Sequence, residues 1–286
     1  MPAVLPPPDL ALAAQLAALL EASAPKPGNV DPTHDFGDTR YEHFLRSALA
    51  IGPALGDAGA AGVGPTVLRA VHDTRKVVSG NTNLGIVLLF APLACAAARG
   101  DGPLRTRLAG VLGGLTVADA EAVYAAIRLA QPGGLGEAPE QDVRAAPTVT
   151  LREAMALAAS WDAIAREYGS DYAITFEVGV PALALASAAG LGMRAAALEA
   201  FLAILAQVPD TLVARKRGDD VAREVSRRAA AVASLTPGTP ERAHALLALD
   251  ASLRDPGNSL NPGTTADLTA ACLFVELLEQ GLRATE

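Results

Sequence analysis

Polar side chains gather at five places along the chain, and each carries the makings of a particular chemistry. The first is Pro25-Lys26-Pro27-Gly28-Asn29-Val30-Asp31, continuing through His34-Asp35-Phe36-Gly37-Asp38. Two prolines fix the path around Lys26 and Gly28 lets backbone approach a ligand, which suits a phosphate-binding loop as well as a plain helix connector. The second is Ser79-Gly80-Asn81-Thr82-Asn83-Leu84-Gly85, which feeds a very apolar run. Anions bind readily at helix N-termini, and Asn81 also has the place of a helix cap. The third is Pro209-Asp210-Thr211 followed by Arg215-Lys216-Arg217-Gly218-Asp219-Asp220. An acidic residue one turn before a basic trio could hold a metal ion and the phosphate it bridges, or simply complement the ends of a short helix. The fourth is Asn258-Ser259-Leu260-Asn261-Pro262-Gly263-Thr264-Thr265-Ala266-Asp267, where Asn-Pro-Gly is turn chemistry and Thr264 with Asp267 has the spacing of a capping box. The fifth is the glycine-rich stretch within residues 131–147, with Glu140 and Asp142.

These residues need elements to position them, and the periodicity supplies helices. Apolar residues recur at helical spacing nearly throughout, punctuated by Gly, Pro and cap residues. The pattern predicts an all-α, single-domain bundle of about twelve helices over residues 1–286, with residues 1–8 as a flexible tail. The first helix is expected from about Asp9 to Ser23, a second after Asp38 and a third opening at Pro65. Later ones are expected at about Leu151–Tyr168, Val180–Ala189, Arg194–Gln207, Asp219–Ser234, Pro240–Arg254 and Thr265–Gln280. Thr116 with Asp119, and Thr150 with Glu153, mark helix starts by their capping-box spacing. No fixed-period repeat points to a solenoid, and no linker separates two domains.

Composition agrees. About a fifth of the 286 residues are alanine, the strongest helix former, and only 4% are aromatic. Sandwiches and barrels want β-branched and aromatic runs, and disordered chains want far fewer apolar residues than the 51% here. A net charge of -8 argues against nucleic-acid or membrane-surface partners, which need a basic face. Cys95 and Cys272 form neither CxxC nor Cys/His spacing, which fits a reducing cytoplasm. The N-terminal apolar stretch lacks a basic region before it, and the longest uncharged apolar run, Leu84 to Ala98, is short for a membrane span. P-loop, GxGxxG, HExxH and GxSxG motifs are missing, and His34, His43, His72 and His244 have no metal-ligand spacing.

At the polar segments the sequence resembles the triphosphoribosyl-dephospho-CoA synthase family. The match rests on Lys26-Pro27-Gly28, the acidic segment through Asp38, Asn81-Thr82 with Gly85, Pro209-Asp210-Thr211, and Asn261-Pro262-Gly263 with Ala266-Asp267-Leu268. Their order and separations agree from about residue 20 to 275. The resemblance implies an all-α, ATP-binding transferase that needs Mg²⁺. Such an enzyme moves the triphosphoribosyl group of ATP to 3′-dephospho-CoA, releases adenine, and so makes a prosthetic-group precursor. Departure of adenine develops positive charge on the ribose, which a carboxylate can stabilise while another takes the acceptor proton. On this footing Asp38, Asp210 and Asp267 are the catalytic and metal-ligand candidates. Lys26, Gly28, Asn29, Asn81, Thr82, Asn83, Thr211, Arg215, Lys216, Asn258, Asn261, Gly263, Thr264 and Thr265 are the substrate-binding candidates.

Two departures from the family pattern stand out. Better-known members read Asn-Thr-His-Lys-Gly where this chain has Asn81-Thr82-Asn83-Leu84-Gly85, and the glycine pair expected after the basic trio is here Gly218-Asp219. Asn83-Leu84-Gly85 and the Arg215-Lys216-Arg217 trio instead resemble a branch from archaea and methylotrophic bacteria linked to tetrahydromethanopterin-type C1 metabolism. A related ribosyl or nucleotidyl transfer to another coenzyme precursor is therefore the alternative. Asp219-Asp220 with Glu224 also prompts a terpene-synthase-type lyase, against which the scarcity of aromatics counts. A non-catalytic scaffold would leave the clustering of polar residues unexplained. The expected partners are ATP and a coenzyme precursor, with a homodimer compatible with the apolar helical surface.

Overall fold

The computed structural model describes residues 6–133, 136 and 138–281. Fifteen α-helices and one π-helical turn are present among them, and no strand, so the chain is all-α. They form two compact units: one from residues up to Leu19, Glu42–Ala173 and Phe274 onward, the other from Leu20–Tyr41 and Ile174–Leu273. The crossings at 19/20 and 273/274 fall inside helices, where composition gives no linker signal. No single described helix is long and apolar enough to cross a membrane.

The first unit takes most of α1 (Pro7–Ser23), then α2 (Tyr41–Gly56), α3 (Ala58–Ala61), α4 (Val63–Val77), α5 (Leu84–Ala97), α6 (Leu104–Gly113), α7 (Val117–Ala130), α8 (Leu151–Ala158) and α9 (Ala163–Gly169). Of the expected tail, residues 1–5 lie outside the described residues, while Pro7 and Pro8 open α1. All fourteen residues of α5 are buried, as expected for a helix that is apolar all round. Pro92 lies inside it and lacks the N–H that would serve the Leu88 carbonyl. The buried Tyr168 hydroxyl donates to that carbonyl instead, at 2.7 Å, and Tyr172 donates to Leu89 O at 2.9 Å. Burial pushes both phenols well up, so they remain donors. The capping boxes at Thr116/Asp119 and Thr150/Glu153 form as expected. The helix expected over Leu151–Tyr168 is two, because Asp162 caps a new start on the N–H groups of Ile164 and Ala165. The helix expected at Pro65 begins two residues earlier, after Gly62 at φ +82°.

The second unit holds a π-helical turn at Thr175–Gly179, then α10 (Val180–Ala188), α11 (Met193–Gln207), α12 (Thr211–Arg217), α13 (Asp219–Ala233), α14 (Pro240–Leu253) and most of α15 (Gly263–Gln280). Phe201, Leu202, Leu205, Val213, Val225, Leu249 and Leu253 build its core. Asp220 pairs with Arg223 and Glu224 with Arg227, so two of the three acidic residues that prompted a lyase reading are one side of ion pairs on α13.

Candidate active site

In the second unit, the loop after α1 turns its cation inward. Lys26 is 1% exposed, pairs with Glu21 Oε1 at 2.9 Å, and donates to the carbonyls of Glu21 and Ala24. These belong to the end of α1, where carbonyls lack helical partners. Lys26 therefore closes a helix end rather than presenting its ammonium to a phosphate. Gly28 has φ +76°, its N–H donates to Asp250 Oδ1 at 2.8 Å, and a Cβ there would stand 2.7 Å from Leu253 Cβ. Arg254, aligned by Asp250 Oδ2 at 2.7 Å, donates to Asn29 O at 3.1 Å. The buried Asn29 donates to Pro27 O. The loop is thus fastened to α14 through Asp250 and Arg254, neither of which the sequence singled out.

Beyond Asn29 the same loop comes to the surface. Asp31 and His34 exchange backbone hydrogen bonds of 3.1 and 3.2 Å. The buried Asp31 carboxylate accepts from Thr33 N–H at 2.7 Å and from the Thr33 hydroxyl at 2.6 Å, and lies 3.7 Å from Arg254. Burial opposes its charge, but the Thr33 bonds and His34 outweigh burial and hold the carboxyl below its usual range. His34 Nδ1 sits 2.9 Å from Thr33 Oγ1 and 3.3 Å from both Asp31 oxygens. Asp38, a candidate ligand and base, is exposed and accepts from Thr39 Oγ1 at 3.1 Å.

Asp210 is enclosed. Its Oδ1 accepts from Leu212 and Val213 N–H at 2.9 and 3.0 Å, capping α12, and its Oδ2 accepts from Thr265 N–H and hydroxyl at 2.7 and 2.8 Å, in the first turn of α15. One carboxylate thereby joins two helix starts. Burial raises its pKa against the pull of those four donors. Thr211 Oγ1 donates to Thr264 Oγ1 at 3.2 Å across the same junction. The capping box expected at Thr264 and Asp267 is replaced by this arrangement, since α15 already starts at Gly263. At the far end of α12, Lys216 donates to Asn258 O at 3.1 Å and Arg217 to Ser259 Oγ at 2.8 Å, while Arg215 is exposed. Asp255 accepts from the N–H groups of Gly257, Ser259 and Leu260, holding the turn that leads to Asn261. Asn261 Oδ1 is buried with no hydrogen-bond partner among the described residues, Gly263 N–H donates to Asn261 O, and Asp267 is half-buried.

Among the described residues, no three or more His, Cys, Asp or Glu side chains are grouped to hold a metal ion. Asp210 is poorly placed as a ligand, because each of its oxygens already accepts two hydrogen bonds and at least one buried donor would have to give way. A magnesium ion carried by a triphosphate needs only one or two carboxylates, a demand that the exposed Asp38 could meet.

In the first unit, the Asn81–Asn83 turn divides in the same way as the loop after α1. Asn81 is exposed, and its Oδ1 accepts from Leu84 N–H at 3.1 Å at the head of α5. Thr82 is buried and shares a hydroxyl hydrogen bond with Ser47. Asn83 is buried as well, donating to Thr74 Oγ1 at 3.1 Å and Ser47 O at 3.4 Å. Leu84, where the better-known pattern has a cation, is buried too. In the glycine-rich stretch, Asp142 is held below the usual carboxylate range by its hydrogen bonds to the Arg144 side chain and backbone and to Ala138 N–H. Gly134, Leu135 and Glu137 of that stretch lie outside the described residues.

No curated protein matches the chain. A crystal structure described as a candidate triphosphoribosyl-dephospho-CoA synthase from Archaeoglobus fulgidus is similar to it, with 28% identity and a TM-score of 0.64 over 82% of this chain and 98% of that one. The family of ATP:dephospho-CoA triphosphoribosyl transferases, CitG, matches over residues 7–286. With that match over nearly the whole chain and the all-α fold, the chain belongs to the CitG family of ATP:dephospho-CoA triphosphoribosyl transferases.

Proposed function

We propose that the protein moves the triphosphoribosyl group of ATP to the 2′-hydroxyl of 3′-dephospho-CoA in a Mg²⁺-dependent reaction, releasing adenine. The observation that carries this reading is the family match over residues 7–286. The polar segments support it chemically. A triphosphate needs cationic and helix-end donors; the exposed Arg215 and Lys216 at the end of α12 and the exposed Asn81 at the head of α5 are residues of that kind. Asp38 and Asp267 are the carboxylates we assign to the metal-bearing triphosphate, and Asp210 we assign to positioning α12 and α15. A second reading keeps the ATP half and changes the acceptor to another coenzyme precursor, such as one of tetrahydromethanopterin-linked C1 metabolism. It is favoured by the buried, uncharged Asn83 and Leu84 where better-known members carry a cationic pair.

The test is incubation with ATP, Mg²⁺ and dephospho-CoA, followed by mass spectrometry for free adenine and the adduct. Both products should appear together and vanish on chelation of the metal. Adenine release without the adduct would shift the assignment to the second reading. An inert protein with every acceptor supplied would overturn both.

A further inference from the structure

His34 combines exposure with constraint. Its side chain is 49% exposed, yet the ring is held along its Nδ1 edge by Thr33 and Asp31, and its backbone is bonded both ways to Asp31. The hydrogen bonds also fix its tautomer. The Thr33 hydroxyl has one proton, and it goes to Asp31 Oδ1, since a carboxylate oxygen has none to give. Thr33 Oγ1 can then only accept from His34, so the ring proton sits on Nδ1. In the neutral ring Nε2 then carries the lone pair, and it makes no hydrogen bond among the described residues. Behind Asp31 stands Arg254, just past the end of α14, and behind Arg254 stands Asp250 in that helix. Asp35, the nearest other carboxylate in sequence, is engaged by Tyr41 N–H.

This arrangement exceeds what folding needs. Exposed ion pairs contribute little to folding, and immobilising an exposed side chain opposes even that. A histidine whose Nδ1 is held by a carboxylate and whose Nε2 is bare is instead the form that accepts protons.

We infer that His34 takes the proton from the acceptor hydroxyl, with Thr33 and Asp31 as the positioning residues that set its tautomer. The inference rests on the transferase reading above. As the hydroxyl oxygen bonds to the ribose C1′, the C1′–N9 bond breaks and adenine leaves with the bonding pair. The hydroxyl proton passes to His34 Nε2, and Asp31 balances the imidazolium formed. That proton then neutralises the departing adenine, so the ring returns to its starting form and no co-reactant is consumed.

The experiment measures adenine release from ATP, Mg²⁺ and dephospho-CoA by wild-type protein, His34→Gln and Asp31→Asn, alongside long-range ¹⁵N–¹H correlation of the imidazole nitrogens in the wild type. His34→Gln should lower kcat about 10²–10⁴-fold and leave the KM for ATP within about threefold. The wild-type ring should show its proton on Nδ1, and Asp31→Asn should redistribute it while lowering kcat by a smaller factor. An active wild type whose His34→Gln variant keeps its kcat, or a wild-type ring protonated on Nε2, overturns the inference alone. A wild type that releases no adenine overturns the transferase reading and this assignment with it.

Discussion

The two halves of one loop put their polar residues to opposite uses. Over residues 25–31 they face inward: Lys26 closes the end of α1 with Glu21, Gly28 lies against Leu253, and Asn29 is bonded through its carbonyl to Arg254. Over residues 32–38 the side chains are mostly exposed, yet His34 is oriented. The same contrast separates Asp210, enclosed by four donors, from the exposed Asp38. A motif residue can thus be indispensable because it builds the frame, or because it meets the substrate. Burial with every hydrogen bond satisfied marks the first kind, and exposure under constraint marks the second.

Removing Lys26 should break this contrast most severely if it is wrong. Lys26→Met strands the Glu21 carboxylate in the interior, and loss of one partner of a buried pair destabilises by about 3–5 kcal/mol. Chemical denaturation should show that loss, while the KM for ATP of the folded fraction stays near that of the wild type. The double variant Lys26→Met with Glu21→Leu should recover most of the stability, because an apolar pair can replace a buried ionic one. A Lys26→Met variant of normal stability and greatly raised KM would instead make Lys26 a phosphate contact.

Asp210→Asn comes next. An amide keeps one acceptor oxygen and places an NH₂ against donors that the second carboxylate oxygen now accepts, at a cost of about 2–3 kcal/mol. Melting should report it together with any loss of turnover, which is the signature of a positioning residue. Loss of turnover with unchanged stability would point to direct contact with substrate. Gly28→Ala should be destabilising by about 1–3 kcal/mol, since alanine resists the left-handed backbone and its methyl meets Leu253. A melting temperature equal to that of the wild type would show that the loop can leave α14 freely.

Local chemistry was legible in the sequence; long-range partners were not. The capping boxes at Thr116 and Thr150, and the bond from Asn81 to Leu84 N–H, involve residues within three positions, so spacing reveals them. The break at Asp162 was also local, but a continuous apolar pattern concealed it. Asp250 and Arg254 meet a loop more than 220 positions earlier, and nothing in helix α14 announces the partner. Lys26 is a related case: its spacing between two prolines says nothing of burial, and only the fold reveals Glu21 five residues back turned toward it. The Tyr168 hydroxyl is a third case, since it answers a carbonyl orphaned by Pro92 from another helix of the same unit.

The finest probe of the contrast is the pH dependence of Asp31, which stands where the inward half of the loop meets the outward half. Its carboxyl lies below the ordinary aspartate value of 3.8 in the folded protein, so its ionised form favours folding. That contribution is fully present above the ordinary value and is lost as pH falls through the lower folded one. At neutral pH, Asp31→Asn should cost about 1 kcal/mol, the worth of the hydrogen bonds weakened when the charge is removed. Below about pH 3.8 the difference between wild type and variant should shrink, because protonation turns the wild-type residue into a neutral group as well. Guanidinium titrations of both proteins at neutral and acid pH measure it directly. A gap that persisted unchanged into acid would mean that Asp31 is held by shape rather than charge, and that its carboxylate contributes nothing to orienting His34.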